Sequence, residues 1–260
     1  MSANARSPSH PTVIHFEVCF IQLPASETYH KTRAHKTAIA FGNWIGDAKT
    51  VNELRPLADC RLYTFVDTAY LRGRSPVDVC RELCDGGSDL VQLRAKNSSA
   101  DEIRGMAEKL LPITMSAKVW LVINDYPEIA SDLGAPMCHL GQEDFFDRGH
   151  KHTSEFNTQI GLSTHAPAQA ERAIAAGAAY VAIGPIYATG TKPTAKPVTL
   201  DYVRWANANV KIPWFAIGGI NLQTIDAVVE AGAKRICVVS GILNSEDIAA
   251  ACAEFKRRLS

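Results

Sequence analysis

A strand-like segment at residues 90–96 places polar and cationic side chains at alternate positions. Successive side chains of a β-strand point to opposite faces, so Gln92, Arg94 and Lys96 share one face of this segment. Fixed cations on a strand that is otherwise suited to burial are costly unless an anion meets them. No matching run of acids stands nearby in the sequence, so we expect Arg94 and Lys96 to meet a bound anionic ligand.

Two aspartates stand at the ends of the next two strand-like runs. Asp125 follows Asn124, and Asp144 closes the segment 141–144 (GQED). Carboxylates beside a phosphate-rich site suit Mg²⁺, which accepts one or two carboxylates and keeps several waters. The pattern therefore predicts a magnesium site at Asp125 and Asp144. Two alternatives stay open: Glu143 can replace Asp144 as a ligand, and Asp125 can cap the helix that follows it.

These residues belong to a regular alternation of strand-like and helix-like segments. Eight such units in about 200 residues predict a (β/α)₈ TIM barrel. A doubly wound sheet is the alternative, but no G-x-G-x-x-G motif follows the first strand. Active sites of TIM barrels lie at the C-terminal ends of the strands, which is where the polar residues stand. The predicted strands are 61–67, 90–96, 119–125, 137–141, 159–164, 180–186, 214–220 and 235–240.

The last two loops of the predicted barrel carry glycine and serine in positions typical of a phosphate site. Gly218 and Gly219 follow the seventh strand, and Ser240 and Gly241 follow the eighth. Glycine leaves backbone N–H groups accessible, and these two loops commonly bind phosphate in such barrels. Ser163, at the end of the fifth strand, is a further candidate hydrogen-bond donor to a ligand. The chain thus offers a second candidate anion site, formed by these two loops.

The loop after the sixth strand, residues 187–196, is rich in hydroxyl groups and lysines. Such a loop can close over an anionic substrate and exclude water. Lys192 in this loop, the two strand cations and a divalent metal would together carry more positive charge than one phosphate needs. We therefore expect two phosphorylated groups in the barrel mouth, the opening at the C-terminal ends of the strands. One of them would be a diphosphate with Mg²⁺.

Composition excludes several classes of partner. Lysine plus arginine and aspartate plus glutamate both total 27, so the net basic charge typical of nucleic-acid binding is absent. No apolar run approaches the roughly 18 to 20 residues that span a bilayer. The 7 cysteines include no C-x-x-C pair. We interpret them as buried small side chains in a reducing compartment, and we expect a cytoplasmic protein that acts alone or as a homo-oligomer.

Residues 1–58 lack the periodicity of the rest of the chain. Acidic residues within them argue against a transit peptide, and no secretory signal pattern is present. We expect a poorly ordered N-terminal extension, with the catalytic barrel over residues 59–260. A small accessory element packed on the barrel is the alternative.

From about residue 61 onward, a series of short motifs resembles the thiamine phosphate synthase family. Each motif falls at a different predicted strand end, and all occur in the order found in that family. The motifs are 92–96 (QLRAK), 124–125 (ND), 139–144 (HLGQED), 163–165 (STH), 184–187 (GPIY), 189–192 (TGTK), 216–220 (AIGGI) and 239–240 (VS).

The resemblance implies a transferase that joins two phosphorylated heterocycles and releases pyrophosphate. It implies Mg²⁺ at Asp125 and Asp144, and pyrimidine contact by Ser163. The diphosphate of the pyrimidine substrate would be held by Gln92, Arg94, Lys96, Asn124 and Lys192, of which Arg94, Lys96 and Lys192 are the expected catalytic cations. The phosphate of the thiazole substrate would be held by Thr189, Thr191, Gly219, Val239 and Ser240.

Two other readings remain open. A related thiazole tautomerase would share the barrel and the thiazole phosphate site but would not need the diphosphate cations or both metal ligands. A barrel that only binds thiazole phosphate or thiamine phosphate would need no metal pair. The presence of Arg94, Lys96, Asp125 and Asp144 favours the synthase over both.

Overall fold

The predicted TIM barrel is confirmed by a computed structural model, which describes residues 54–190 and 196–259. Its eight strands are all parallel and close into a barrel, with β1 paired to both β2 and β8. The strands are β1 Leu62–Asp67, β2 Leu90–Arg94, β3 Trp120–Asn124, β4 Met137–Leu140, β5 Gln159–Thr164, β6 Tyr180–Ile183, β7 Trp214–Ile217 and β8 Ile236–Cys237.

Helices form the outer layer of the barrel. They are α1 Pro76–Asp85, α2 Ala100–Ser116, α3 Pro127–Leu133, α4 Pro167–Ala175, α5 Thr199–Asn209, α6 Ile225–Glu230, α7 Ser240–Leu243 and α8 Ile248–Arg258. Local sequence explains where the longest one begins: Ser99 and Glu102 form a reciprocal capping box at the start of α2. After β4, a five-residue π-helix, Glu143–Asp147, stands in place of a long helix.

The last two strands are shorter than predicted. We expected strands at 214–220 and 235–240, whereas β7 ends at Ile217 and β8 contains two residues. Gly218 and Gly219 have φ values of +104° and +66°, which a strand does not adopt. The residues beyond them belong to the loops at the barrel mouth.

Most of the predicted extension lies outside the described residues, which begin at Leu54. The described part of it packs on the barrel: Leu54 is 7% exposed, and the carbonyl of Arg55 accepts a hydrogen bond of 2.8 Å from the Trp120 indole. The domain boundary at residue 58 stays a prediction. None of the described helices is long and apolar enough to cross a membrane.

Aromatic side chains fill the barrel interior beneath the mouth. Tyr63, Tyr180 and Phe215 meet edge to face, with ring centroids 5.4 to 5.8 Å apart. Gly161 on β5 makes room for one of them, because a Cβ there would overlap the Tyr180 ring. These rings close the barrel and form the floor of the cavity above them.

Candidate active site

One cavity of about 1000 Å³, counting space open to solvent, occupies the C-terminal end of the barrel. Every predicted site residue within the described part of the chain lines it. These residues are Gln92, Arg94, Lys96, Asn124, Asp125, Asp144, Ser163, Thr189, Gly219, Val239 and Ser240. Thr191 and Lys192 lie outside the described residues, so their part in the site stays a prediction.

Arg94 at the end of β2 and Lys96 two residues beyond it already have acidic partners, which the sequence did not reveal. Arg94 Nη1 lies 2.7 Å from Asp67 Oδ2, and the Lys96 ammonium is paired with Asp125. Asp67 and Arg94 are register partners on β1 and β2. The sequence gave no sign of these acids because they stand 27 and 29 residues away and are brought together by neighbouring strands. Contact of Arg94 and Lys96 with a bound anion stays a prediction.

Asp67 is a site residue that the sequence analysis missed. Its side chain is 1% exposed, and its other carboxylate oxygen accepts a hydrogen bond of 3.0 Å from the Ala69 backbone. Arg94 is 14% exposed, so the pair is largely shielded from water and holds the guanidinium in place. The signal that could have found Asp67 is its position: it ends the first strand, as Arg94 ends the second.

The two predicted metal ligands line the same cavity. Asp125 adopts a φ of +67°, and its backbone N–H donates to the His139 carbonyl at 2.9 Å. Its Oδ2 accepts from Asn124 Nδ2 at 2.6 Å. Helix α3 begins after Tyr126 without a side-chain cap, so Asp125 does not serve as its cap. These contacts favour a role for Asp125 in the cavity.

Asp144 sits in the first turn of the π-helix and forms an ion pair of 3.4 Å with Arg148. Gly141 leaves room for its carboxylate, because a Cβ there would lie 2.9 Å from Asp144 Oδ2. Glu143 is absent from the cavity lining among the described residues, which favours Asp144 over Glu143 as a ligand.

The donor set fits Mg²⁺ and does not resemble a transition-metal site. The described residues contain no cluster of three or more histidine, cysteine, aspartate or glutamate side chains. Mg²⁺ needs only one or two carboxylates when waters and substrate phosphate oxygens complete its shell. Asp125 and Asp144 are the two candidates for that role.

The opposite wall of the cavity is built from glycine and hydroxyl residues. Gly218 and Gly219 line it at the end of β7, and Val239 and Ser240 line it after β8. The positive φ of both glycines favours residues without a Cβ, and Gly218 also lies against Pro185 of the sixth loop. The Ser240 hydroxyl has no hydrogen-bond partner within the described ranges, which leaves it available to a ligand.

A model of the family described as thiamine monophosphate synthase matches residues 62–242, which contain all eight strands and every predicted site residue. The chain belongs to the thiamine monophosphate synthase family. A thiamine-phosphate synthase of Thermus thermophilus is 42% identical over 175 residues, covering 67% of this chain and 84% of the relative. The enzyme of Lawsonia intracellularis is 37% identical over 191 residues, covering 73% and 88%.

Solved structures agree with the family assignment. Thiamine phosphate pyrophosphorylase from Pyrococcus furiosus superposes with a TM-score of 0.69 at 28% sequence identity, covering 80% of this chain and 96% of the other. The family motifs thus stand on the matching fold at the C-terminal ends of its strands.

Polar side chains on the cavity floor were also missed by the sequence analysis. Tyr63, Tyr180 and His139 form hydrogen bonds with one another and with Gln92 and Ser163. Burial raises the pKa of Tyr63 and of Tyr180 well above the ordinary tyrosine value, so both hydroxyls stay protonated. Although His139 lies within a family motif, hydrophobic strand patterns gave no sign that two tyrosines would meet it across the barrel.

His165 has a structural partner in this member of the family. Its Nδ1 contacts the Gly184 carbonyl, and its backbone N–H donates to Gln169 Oε1 at 2.7 Å. The side chain therefore links the ends of β5 and β6 while it lines the cavity.

Proposed function

We propose that this chain is a thiamine-phosphate synthase. It would join 4-amino-2-methyl-5-hydroxymethylpyrimidine diphosphate to 4-methyl-5-(2-phosphoethyl)thiazole and release thiamine phosphate and pyrophosphate. The observation that carries this proposal is that a single cavity has two different walls suited to anions. One wall has cations and carboxylates from β2 to β4, and the other has glycines and hydroxyls after β7 and β8.

The charges of the cavity support a metal-bound diphosphate. Within the described residues, the lining cations Arg94 and Lys96 are balanced by Asp125 and Asp144. A diphosphate would therefore find no surplus positive charge there. Mg²⁺ bound at the two aspartates would supply that surplus by neutralising phosphate oxygens. Lys192 is proposed to add a further cation.

Each wall is assigned one substrate in this proposal. Arg94, Lys96, Asn124 and Lys192 hold the diphosphate. Gln92 was expected from the resemblance to hold it too, but its amide nitrogen donates to Tyr63, so we assign it with Ser163 to the pyrimidine ring. Thr189, Thr191, Gly219, Val239 and Ser240 hold the phosphate of the thiazole. This arrangement would place the thiazole nitrogen beside the methylene carbon of the pyrimidine.

The substitution itself requires charge stabilisation and alignment. The C–O bond breaks and its electron pair leaves with pyrophosphate, while the thiazole nitrogen lone pair forms the new C–N bond. No proton needs to be removed, so no general base is required. Arg94, fixed by Asp67, and Lys96 would stabilise the charge that develops on the leaving group.

Ser163 and His139 resemble a nucleophile–base pair, with Oγ and Nε2 at 2.9 Å. In a serine hydrolase, however, a carboxylate holds the other ring nitrogen and stabilises the imidazolium. Here that position is taken by the hydroxyl of Tyr180, at 2.8 Å from Nδ1. Hydrolysis through Ser163 is therefore a weaker reading than pyrimidine binding.

The direct test is incubation of the purified protein with both heterocycles and Mg²⁺. We expect thiamine phosphate and pyrophosphate in equal amounts, measured by chromatography, and neither product when one substrate is omitted. Failure to form thiamine phosphate under these conditions would rule out the proposed function.

A thermal-shift measurement separates the synthase from a thiazole tautomerase. Pyrophosphate at about 100 times its Kd should raise Tm by roughly 5 to 10 °C in the presence of Mg²⁺. Asp125→Asn should abolish most of that shift and depress turnover strongly, because a hard anionic ligand is lost. Asp132→Asn, on a half-exposed surface pair with Arg104, is the matched control. Equal shifts with and without Mg²⁺ would contradict the metal assignment.

A further inference from the structure

A row of hydrogen-bonded side chains crosses the floor of the cavity. Gln92 Nε2 donates to the Tyr63 hydroxyl at 2.6 Å, and the Tyr63 and Tyr180 hydroxyls are 2.9 Å apart. The Tyr180 hydroxyl lies 2.8 Å from His139 Nδ1, and His139 Nε2 lies 2.9 Å from Ser163 Oγ. The row therefore links β2, β1, β6, β4 and β5, and it begins and ends at cavity-lining residues.

The donor in each hydrogen bond of the row follows from counting the available protons. Because Tyr63 accepts from Gln92, its own proton must go to Tyr180, its only other hydrogen-bond partner in the described chain. Tyr63 is 1% exposed, so an unpaired proton there would be costly. The Tyr180 proton then goes to Nδ1 of His139, which leaves the imidazole proton on Nε2 as a donor to Ser163 Oγ.

The two ends of the row therefore present opposite hydrogen-bonding groups to the cavity, a donor at one end and an acceptor at the other. Ser163 keeps its hydroxyl proton for a ligand. The Gln92 amide nitrogen donates its hydrogen bond to Tyr63, which leaves the amide oxygen Oε1 to face the cavity. Arg235 Nε is the only buried side-chain polar atom that lacks a partner among residues 54–190 and 196–259. The cavity therefore offers a hydrogen-bond acceptor at Gln92 and a donor at Ser163.

We propose that Tyr63, Tyr180 and His139 are positioning residues that fix this polarity, so that the site selects an aminopyrimidine. The inference rests on the proposed function and goes beyond it. An aminopyrimidine has an amino N–H donor for Gln92 and a ring-nitrogen acceptor for Ser163. In the 4-oxo analogue a carbonyl replaces the amino group and would face the Gln92 carbonyl. The tyrosines hold the Gln92 amide in one orientation, because rotating the amide group by 180° would break the hydrogen bond that Nε2 donates to Tyr63.

The packing of Tyr180 and His139 on the cavity floor supports this positioning role. The Tyr180 ring reaches its partners only because Gly161 lacks a Cβ at that point. Tyr180 also stacks on the His139 ring, with centroids 5.7 Å apart and an interplanar angle of 17°. Packing thus holds the two rings in the orientation that the hydrogen bonds require.

The test compares Tyr180→Phe with Tyr202→Phe. Both changes remove a buried hydroxyl that makes two hydrogen bonds, but Tyr202 bonds to Thr164 and Ala166, outside the row. We expect the wild type to prefer the 4-amino over the 4-oxo pyrimidine diphosphate by about 100-fold or more in kcat/KM. Tyr180→Phe should reduce that preference about tenfold or more, with the KM for the thiazole unchanged. Tyr202→Phe should leave the preference unchanged.

A spectroscopic measurement on the wild type tests the row without any substrate. Ring ¹⁵N chemical shifts of His139 should show the proton on Nε2. A proton on Nδ1 would overturn the inference, because the row would then run from Ser163 toward Gln92. If Tyr180→Phe does not fold, Tyr63→Phe interrupts the same row and should also reduce the 4-amino preference.

The outcomes separate the two proposals. If the wild type forms thiamine phosphate but Tyr180→Phe keeps the full 4-amino preference, the positioning role is wrong and the proposed function stands. If the wild type forms no thiamine phosphate, the proposed function fails and the inference fails with it.

Discussion

At the residue scale, the site depends on side chains that hold the substrate-facing ones in place. Asp67 fixes Arg94, and His139 holds Ser163. Asn124 and Lys96 both contact the Asp125 carboxylate. Apart from Asn124, each supporting residue lies on or just after a different strand from the residue that it holds. The sequence motifs contain all of these residues except Asp67, but which of them contact one another became visible only when the strands were placed side by side.

Asp67→Asn should destabilise the fold and weaken diphosphate binding. Arg94 would be left largely buried without a counter-charge, which costs about 3 to 5 kcal/mol in comparable buried pairs. Urea unfolding measures this loss. Asp78→Asn, whose pair with Arg81 is exposed on both sides, should change the unfolding free energy by about 1 kcal/mol or less. Similar losses of unfolding free energy in the two variants would mean that the Asp67–Arg94 pair contributes no more to stability than an exposed ion pair.

Ser240→Ala should mainly raise the KM for the thiazole substrate. Removing one hydrogen bond to a charged phosphate should raise that KM about tenfold or more, since such bonds contribute about 1.5 to 3 kcal/mol. The KM for the pyrimidine diphosphate should stay within about twofold. Steady-state kinetics with each substrate varied in turn gives both values. A rise confined to the pyrimidine would mean that the two pockets are exchanged.

At the element scale, the order of strands and helices was predictable but their ends were not. The alternation of apolar runs with helix-like segments identified all eight strands, and β5 begins and ends as predicted. The C-terminal ends of β6, β7 and β8 were predicted too long. Ile186, Ile220 and Val238 lie beyond these ends and are still apolar and buried, so hydrophobicity alone does not show where a strand becomes a loop. The short helix α7 was missed for the same reason.

Helix α1 carries a cysteine pair whose reactivity can be predicted. The pKa of the Cys84 thiol is lowered by a hydrogen bond from Cys80, whereas burial raises the pKa of Cys60 and of Cys252 to about 12. Since the thiolate is the reactive form, iodoacetamide at about pH 8 should modify Cys84 first among the six described cysteines. Peptide mapping by mass spectrometry over time measures the order. Equally fast labelling of Cys60 or Cys252 would contradict this assignment.

At the scale of the whole molecule, the barrel brings residues from distant parts of the sequence to one mouth. Arg94 at the end of β2 and Ser240 after β8 are separated by most of the barrel sequence, yet they line the same cavity. The chain is neutral overall, with 27 basic and 27 acidic residues, so attraction for phosphorylated substrates must arise locally. Within the described mouth the charges also balance, so we expect substrate binding to depend on the metal.

We propose that this mouth holds both products of the reaction, one on each of its two walls. A crystal structure of the protein with Mg²⁺, pyrophosphate and thiamine phosphate would show whether it does. We expect Mg²⁺ on Asp125 and Asp144, pyrophosphate against Arg94 and Lys96, and the phosphate of thiamine phosphate against Gly219 and Ser240. Pyrophosphate on the wall formed by Gly219 and Ser240, or a metal bound away from both aspartates, would contradict it.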